Sequence, residues 1–290
     1  MRFKNGLMIS AVAVASVLVL GGCTDSGTPA ADPTVAAPTF EAGTTMAKLA
    51  DAGTITIGTK FDQPLFGLAG PDGTPVGFDV EIGKIIAGEL GISADKIKWV
   101  ETVSKNREPF IQSGEVDLVV ATYTINDTRK EVVSFAGPYY SAGQDILVLA
   151  GNPEGITGID DLAGKNVCSA SGSTSEKNLI AAGAVVLAAA GYGDCLEPLR
   201  NGAVVAVSTD NVILAGLADQ NSGEFEVVNN PFTEEPYGIG VALEDDTFRN
   251  WINDVLEASY ADGTWAAAWE STAGKVLNLP TPPAVDRYVR

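Results

Sequence analysis

The stretch Glu108–Phe135, EPFIQSGEVDLVVATYTINDTRKEVVSF, decides the fold class. Glu108–Gln112 starts a helix, and Gly114 stops it, since glycine readily takes the left-handed backbone of a helix end. Val116–Ala121 is an apolar, strand-like run. Past the strand come three hydroxyl residues (Thr122, Thr124, Thr128), one aromatic (Tyr123) and then Arg129. A helix, a stop, a strand and a polar loop form the basic unit of an α/β fold.

Upstream, the same unit is already present. Thr54–Gly58 reads as a strand and Gly70–Gly73 as a turn between extended segments. Phe78–Leu90 has apolar residues at 78, 82, 85, 86 and 90, the spacing of an amphipathic helix. Ile97–Val100 reads as a strand. This order predicts a parallel sheet with covering helices. Downstream the pattern repeats: strands at 145–149, 166–170, 204–208 and 225–228, with helices at 159–162, 174–190 and 211–219. An extended segment at 239–243, a long amphipathic helix at 246–260 and a last helix from Trp265 follow. Two α/β units and a return strand predict two lobes, with chain crossings near Ser141–Gln144 and Glu235–Gly238. Such proteins bind ligands in the cleft between lobes, at strand ends.

Composition narrows the function. The chain has 290 residues, 46% of them hydrophobic, and a net charge of −19. That charge argues against a nucleic-acid partner. There is no histidine, which removes Ser-His-Asp and Cys-His catalysis and every His-containing zinc site. No metal or other cofactor is expected.

The N-terminus has the parts of a signal peptide: basic Arg2 and Lys4, an apolar region at Leu7–Leu20, then Leu20-Gly21-Gly22-Cys23. The last four resemble a bacterial lipobox, in which the cysteine receives a lipid; a membrane-spanning anchor with an incidental cysteine is the alternative. Loss of Arg2 and Lys4 leaves 16 basic residues (18 − 2) against 37 acidic, or −21. Thr24–Thr44, rich in Pro, Ala, Thr and Gly, reads as a flexible tether spanning roughly 25 Å on average. With Cys23 taken by lipid, Cys168 and Cys195 remain as a disulfide pair outside the cytoplasm, or as two buried thiols.

Three polar clusters carry candidate chemistry. Arg129 suits a carboxylate, because guanidinium donates two parallel hydrogen bonds to it; Thr124, five residues upstream, would join it. The alternative is a surface arginine paired with Glu131 or Asp127. Ser173 and Thr174 follow a strand and open a helix, where unpaired N–H groups favour an anion, or where Ser173 or Thr174 is only an N-cap. Asp210 either caps the helix after it or holds an ammonium group. The Glu234-Glu235 pair reads as a turn without a role. Ser93-Ala94-Asp95-Lys96 fits S-x-x-K but lacks the companion motifs of that enzyme class.

Several segments together resemble a known family. GFDVEI at 77–82, RKEVVSFAGPY at 129–139, DLAGKNVCSASGSTSE at 161–176 and VSTDNVILAG at 207–216 are similar to the bacterial extracellular solute-binding proteins, family 3, which serve polar amino-acid ABC importers. The resemblance covers about Met46–Leu277 and is closest to actinobacterial-type glutamate-binding lipoproteins. It implies an α/β, two-lobed periplasmic-binding-protein-like fold (type II) closing on one amino acid. The implied boundaries are 1–22 for the signal peptide, 23–45 for the tether, 46–143 with 239–279 for lobe 1, 144–238 for lobe 2 and 280–290 for a loose tail.

By position, the resemblance puts Arg129, Thr124, Ser173 and Thr174 on the ligand α-carboxylate. It puts Asp210 and the Thr122 carbonyl on the α-ammonium, and Arg107 and Lys60 on a distal carboxylate. Lys60 departs from the arginine of glutamate/aspartate-binding members, replacing a fork by a point charge. The expected function is therefore a non-enzymatic, monomeric receptor on the outer face of the cell membrane. It would capture L-glutamate, with aspartate, glutamine and asparagine as further candidates, for a permease. A ligand sensor or a dehydratase-type enzyme on the same fold is the alternative.

Overall fold

A computed structural model describes residues 38–289. Cys23 and the leader therefore lie outside the described residues, as does most of the tether. The strands in chain order are β1 (Ile55–Thr59), β2 (Asp62–Gln63), β3 (Gly67–Ala69), β4 (Pro75–Val76), β5 (Ile97–Glu101), β6 (Leu118–Val119), β7 (Ser134–Ala142) and β8 (Gln144–Leu149). β9 (Asn166–Ala170), β10 (Val185–Ala189), β11 (Ala206–Asp210), β12 (Phe225–Val227) and β13 (Glu235–Val241) follow. The helices are α1 (Thr45–Ala52), α2 (Phe78–Glu89), α3 (Arg107–Ser113), α4 (Asp127–Lys130), α5 (Thr174–Ala181), α6 (Leu196–Arg200), α7 (Asn211–Gln220), α8 (Asp246–Asp262) and α9 (Thr264–Ser271).

Two five-stranded sheets organise the molecule, ordered β5-β1-β6-β13-β7 and β10-β9-β11-β8-β12. Each has a parallel core: β1 pairs in parallel with β5 and β6, and β9 with β10 and β11. This is the two-lobed α/β arrangement expected from the repeat. The chain leaves the first sheet after β7, passes through Gly143 and enters the second as β8. It returns between β12 and β13, and β13 then pairs antiparallel with β7. A Cβ on Gly143 would come within 2.8 Å of the Thr233 carbonyl oxygen, so the two crossings lie too close for any larger residue there.

An aromatic cluster anchors the first lobe beneath the crossings. Phe66 meets Phe78, Tyr140, Tyr237 and Trp269 at ring-centroid distances of 6.0–6.2 Å. Edge-to-face contacts of this kind add to the area such rings bury. The apolar face of α2 joins it through Phe78, Ile82 and Ile86, all fully buried.

Two expectations are corrected. The helix predicted to run to Ala190 stops at Ala181, and residues 185–189 form β10. Gly183 takes a left-handed φ of +81°, which breaks the helix, and the β-branched Val185-Val186 pair suits an extended strand. As a sheet edge, β10 leaves Val185 and Leu187 exposed, so the apolar run is not the helix face its composition suggests.

The tail from Pro280, expected to be loose, is irregular but tied down. Asp286 N–H donates to the Gly137 carbonyl at 2.7 Å, and Phe135 N–H donates to the Tyr288 hydroxyl at 2.9 Å. Arg287 reaches Asp254 and Glu257, each at 2.7 Å. The tail thus covers the free edge of β7, where unpaired backbone groups need partners. Truncation after Leu279 is expected to destabilise the protein by about 2–3 kcal/mol, from two hydrogen bonds of ~1 kcal/mol each and exposed ion pairs worth less. A urea titration checks this; an unchanged midpoint would make the tail dispensable.

Candidate functional site

A small, largely polar cavity lies between the lobes. From the first sheet's side it is lined by Ser104, Arg107, Thr122 and Thr124. From the second come Ser173, Thr174, Tyr192, Asp210 and Ile213. Six of the sequence-derived candidates therefore meet there: Arg107, Thr122, Thr124, Ser173, Thr174 and Asp210. Lys60 and Arg129 adjoin them through hydrogen bonds.

Arg129 is 4% exposed, which excludes the surface-arginine reading. Asn126 starts the short α4 by accepting from the Arg129 backbone N–H at 2.9 Å, a cap that holds the backbone from which the side chain projects. Its guanidinium donates to the Thr124 carbonyl at 2.8 Å and to the Gly172 carbonyl of the opposite lobe at 3.3 Å. Its ion-pair partner is Glu108, at 3.2 Å, rather than Glu131 or Asp127. Burial, with Arg107 nearby, pulls the guanidinium down to about 10.

Arg107 opens α3, also buried. It donates through Nε to the Ser104 carbonyl at 3.1 Å, and through Nη1 to the carbonyls of Ala121 and Thr122, each at 3.2 Å. Both arginines sit over the ring of Tyr123, at 4.3 and 5.0 Å from its centroid, a placement the ring quadrupole favours. Lys60 Nζ donates to Ser104 Oγ at 2.8 Å. Burial, and then the like charge of Arg107, bring this ammonium down to about 7.

Thr122 has φ of +43°, a strained conformation for a β-branched residue. Three contacts hold it: its N–H donates to Asp79 Oδ2 at 2.8 Å, its hydroxyl to Gln63 Oε1 at 2.9 Å, and its carbonyl accepts from Arg107. The carbonyl expected to face a ligand ammonium is thus engaged by Arg107 as well. Asp79 in turn accepts from the Tyr139 hydroxyl at 2.6 Å, and burial raises its carboxyl to about 7.

On the second lobe, Ser173 does cap its helix, accepting from Glu176 N–H at 2.9 Å, and lines the cavity as well. Asp210 does not cap α7 with its side chain. Its Oδ2 accepts from the Tyr237 hydroxyl at 2.6 Å, while Oδ1 is buried without a partner. Burial, and then Glu235, raise this carboxyl to about 7. Glu235, read as a turn residue, is instead buried in β13 and accepts from Thr174 Oγ1 at 2.9 Å. Gln63 Nε2 is also buried and unpartnered.

Sequence reasoning missed Gln63, Asp79, Ser104, Tyr192, Glu235 and Tyr237. Asp79 had a signal, a carboxylate beside the apolar stripe at the start of α2; Gln63 and Tyr192 had none. The disulfide between Cys168 and Cys195 forms, with Cα atoms 5.5 Å apart. Among the described residues, no cluster of three or more His, Cys, Asp or Glu suits a metal ion, and no helix is long and apolar enough to cross a membrane.

The cavity is bipolar. Donors on Lys60, Arg107 and Arg129 gather in one region and an unpaired acceptor, Asp210 Oδ1, stands on the opposite lobe. Unpaired buried charge is costly, so a small solute bearing both an anion and a cation would relieve it.

Comparisons with known proteins point to one family. Residues 55–272 match the bacterial extracellular solute-binding proteins, family 3. The glutamate-binding protein GluB of Corynebacterium efficiens is 40% identical over 237 residues, covering 78% of this chain and 80% of its own. The glutamine-binding protein GlnH of Bacillus subtilis is 37% identical, covering 76% and 81%. Among solved structures, an ancestral arginine-binding protein bound to glutamine superposes with a TM-score of 0.71 at 36% identity, covering 76% of this chain and 97% of its own.

The raised Asp210 carboxyl carries a stability consequence. The folded state keeps its proton up to about pH 7, whereas an unfolded aspartate loses it near 3.9. The folded state therefore binds more protons between these values, and stability falls as pH rises through that window. Asp210→Asn is expected to raise the melting temperature of the ligand-free protein at pH 7.5 and to leave it unchanged at pH 4, by differential scanning calorimetry.

Proposed function

Because this chain belongs to the bacterial extracellular solute-binding proteins, family 3, we propose that it is the substrate-binding protein of an amino-acid ABC importer, with L-glutamate as its ligand. The observation that carries the reading is the bipolar cavity. Arg129, with Thr124, Ser173 and Thr174, takes the α-carboxylate. Asp210 Oδ1 takes the α-ammonium, replacing a buried unpaired oxygen by a charge-assisted hydrogen bond. Lys60 and Arg107 take a distal carboxylate, joined by the unpaired Gln63 Nε2. Relatives named for glutamate and for glutamine support a ligand of this size.

The lobes, 46–143 with 239–279 and 144–238, close over the ligand and present it to the membrane permease. Cys23 carries the lipid anchor, and the tether holds a monomeric body at the outer face of the membrane. The protein is a binder rather than an enzyme. The chain has no histidine, Asp210 is committed to the ligand ammonium, and both oxygens of Asp79 accept from within the protein.

Isothermal titration calorimetry against the common amino acids tests the reading. Saturable glutamate binding is expected, without turnover. Arg129→Ala is expected to abolish binding of every α-amino acid; near-native affinity would remove it from the carboxylate clamp. Arg107→Ala is expected to weaken glutamate at least tenfold more than glutamine, since a lost charge-assisted bond matters most to the charged ligand. Equal losses would reject the distal-carboxylate role.

Affinity also depends on two groups ordinarily near opposite ends of the pH scale. Ligand binding needs Lys60 protonated and Asp210 ionised, and both titrate near 7. Rising pH therefore discharges one as it charges the other. Wild-type affinity is expected to peak near pH 7, whereas Lys60→Met, weaker throughout, is expected to gain affinity steadily from pH 6 to 8.

A further inference from the structure

We propose that Asp62 is a positioning residue for ligand retention: its carboxylate latches the second lobe over the cavity through the backbone N–H groups of Tyr192 and Gly193. The inference rests on the amino-acid-binding reading above and adds a residue outside the cavity lining.

Asp62 stands on the two-residue strand β2 in the first lobe. Its Oδ2 accepts from Tyr192 N–H at 2.8 Å and from Gly193 N–H at 3.4 Å. Its neighbour Gln63 turns inward to Thr122, so β2 touches the site on one side and the opposite lobe on the other. Tyr192 is 3% exposed and lines the cavity. The contact thus ends on a residue that walls the ligand space.

The fit at this seam is close. A Cβ on Gly191 would lie 2.3 Å from Asp62 Oδ2, and one on Gly216 would lie 2.6 Å from the Pro64 carbonyl oxygen. Real side-chain carbons do not approach so near, so glycine at 216 lets the backbones of the two lobes meet and glycine at 191 leaves room for the Asp62 carboxylate. Gly193 is different: an added Cβ would find nothing nearer than 3.8 Å.

The receiving turn is built in advance. Asp194 Oδ2 accepts from Gly191 N–H at 3.2 Å, and the Tyr192 carbonyl accepts from Cys195 N–H at 3.1 Å. Cys195 is bonded to Cys168 on β9, inside the second sheet. The disulfide thereby ties the turn to the rigid part of its lobe, and the two N–H groups face Asp62 without a search through loop conformations.

The latch exists only when the lobes are together, so its loss speeds opening and release. Capture starts from the open cleft and is left unchanged. One hydrogen bond to a charged group accounts for roughly a tenfold change.

Stopped-flow fluorescence of the mature chain with L-glutamate separates the two rates. Asp62→Ala is expected to raise koff about tenfold with kon within twofold. Asp62→Asn, which keeps an acceptor oxygen, is expected to fall between. Gly191→Ala is expected to match Asp62→Ala by wedging the seam, and Gly193→Ala to match wild type. The Cys168→Ser/Cys195→Ser variant is expected to raise koff by a smaller factor. Wild-type koff in both Asp62→Ala and Gly191→Ala overturns the latch, as does Gly193→Ala behaving like Gly191→Ala. A merely structural Asp62 would lower the melting temperature without separating koff from kon. If the wild-type chain binds no common amino acid, the functional reading fails instead. Small-angle scattering of the ligand-free proteins then judges the latch: a larger radius of gyration for Asp62→Ala than for wild type upholds it, and equal values overturn it.

Discussion

The carboxylate of Asp79 holds the floor of the cleft in place. One oxygen accepts from the Thr122 N–H and the other from the Tyr139 hydroxyl. Thr122 would not keep its left-handed backbone without such over-determination. That backbone aims the carbonyls of Ala121 and Thr122 at Arg107, and it places Thr124 so that its own carbonyl meets Arg129. A single buried acid at the start of α2 thus organises both cation anchors of the site, while its own ionisation is suppressed by burial.

The two crossing strands extend this logic to the second lobe. Tyr139 on β7 and Tyr237 on β13 lie with ring centroids 6.1 Å apart. Tyr139 donates to Asp79 beneath the first lobe, and Tyr237 donates to Asp210 at the end of β11 in the second. The hinge is therefore also part of the site's electrostatic support. It satisfies one oxygen of Asp210 and leaves the other buried without a partner. Burial draws Asp210 and Lys60 toward the middle of the pH scale, a perturbation that clusters at functional sites.

Much of this was readable along the chain where periodicity and punctuation coincide. The 3.6-residue spacing of Phe78, Ile82 and Ile86 matches the buried face of α2, and Gly114 marks the end of α3. Arg107, Thr124, Ser173 and Asp210 stand just after strands or at helix starts, positions where α/β folds put their ligands. The failures have physical causes. The segment 174–190 is apolar enough for helix or edge strand, and Gly183 decides between them. Glu235 read as a turn residue because nothing local shows that β13 carries it into the interior. The Pro-rich tail read as loose because its partners, Phe135, Gly137, Asp254 and Glu257, are distant in sequence.

Sequence by itself determined the α/β alternation, the repeat of two units, the excess of acid without histidine and the short list of polar groups past strand ends. These depend on local preference and composition, which neighbouring residues settle among themselves. Tertiary structure alone decided which of those groups are buried together, that Asp210 leaves its helix uncapped to bond Tyr237, that Asp62 meets the Tyr192 backbone and that Gln63 meets Thr122. Burial and hydrogen-bond pairing arise from contacts between distant segments. The protonation states on which the site depends follow from that burial, which no stretch of the chain encodes alone.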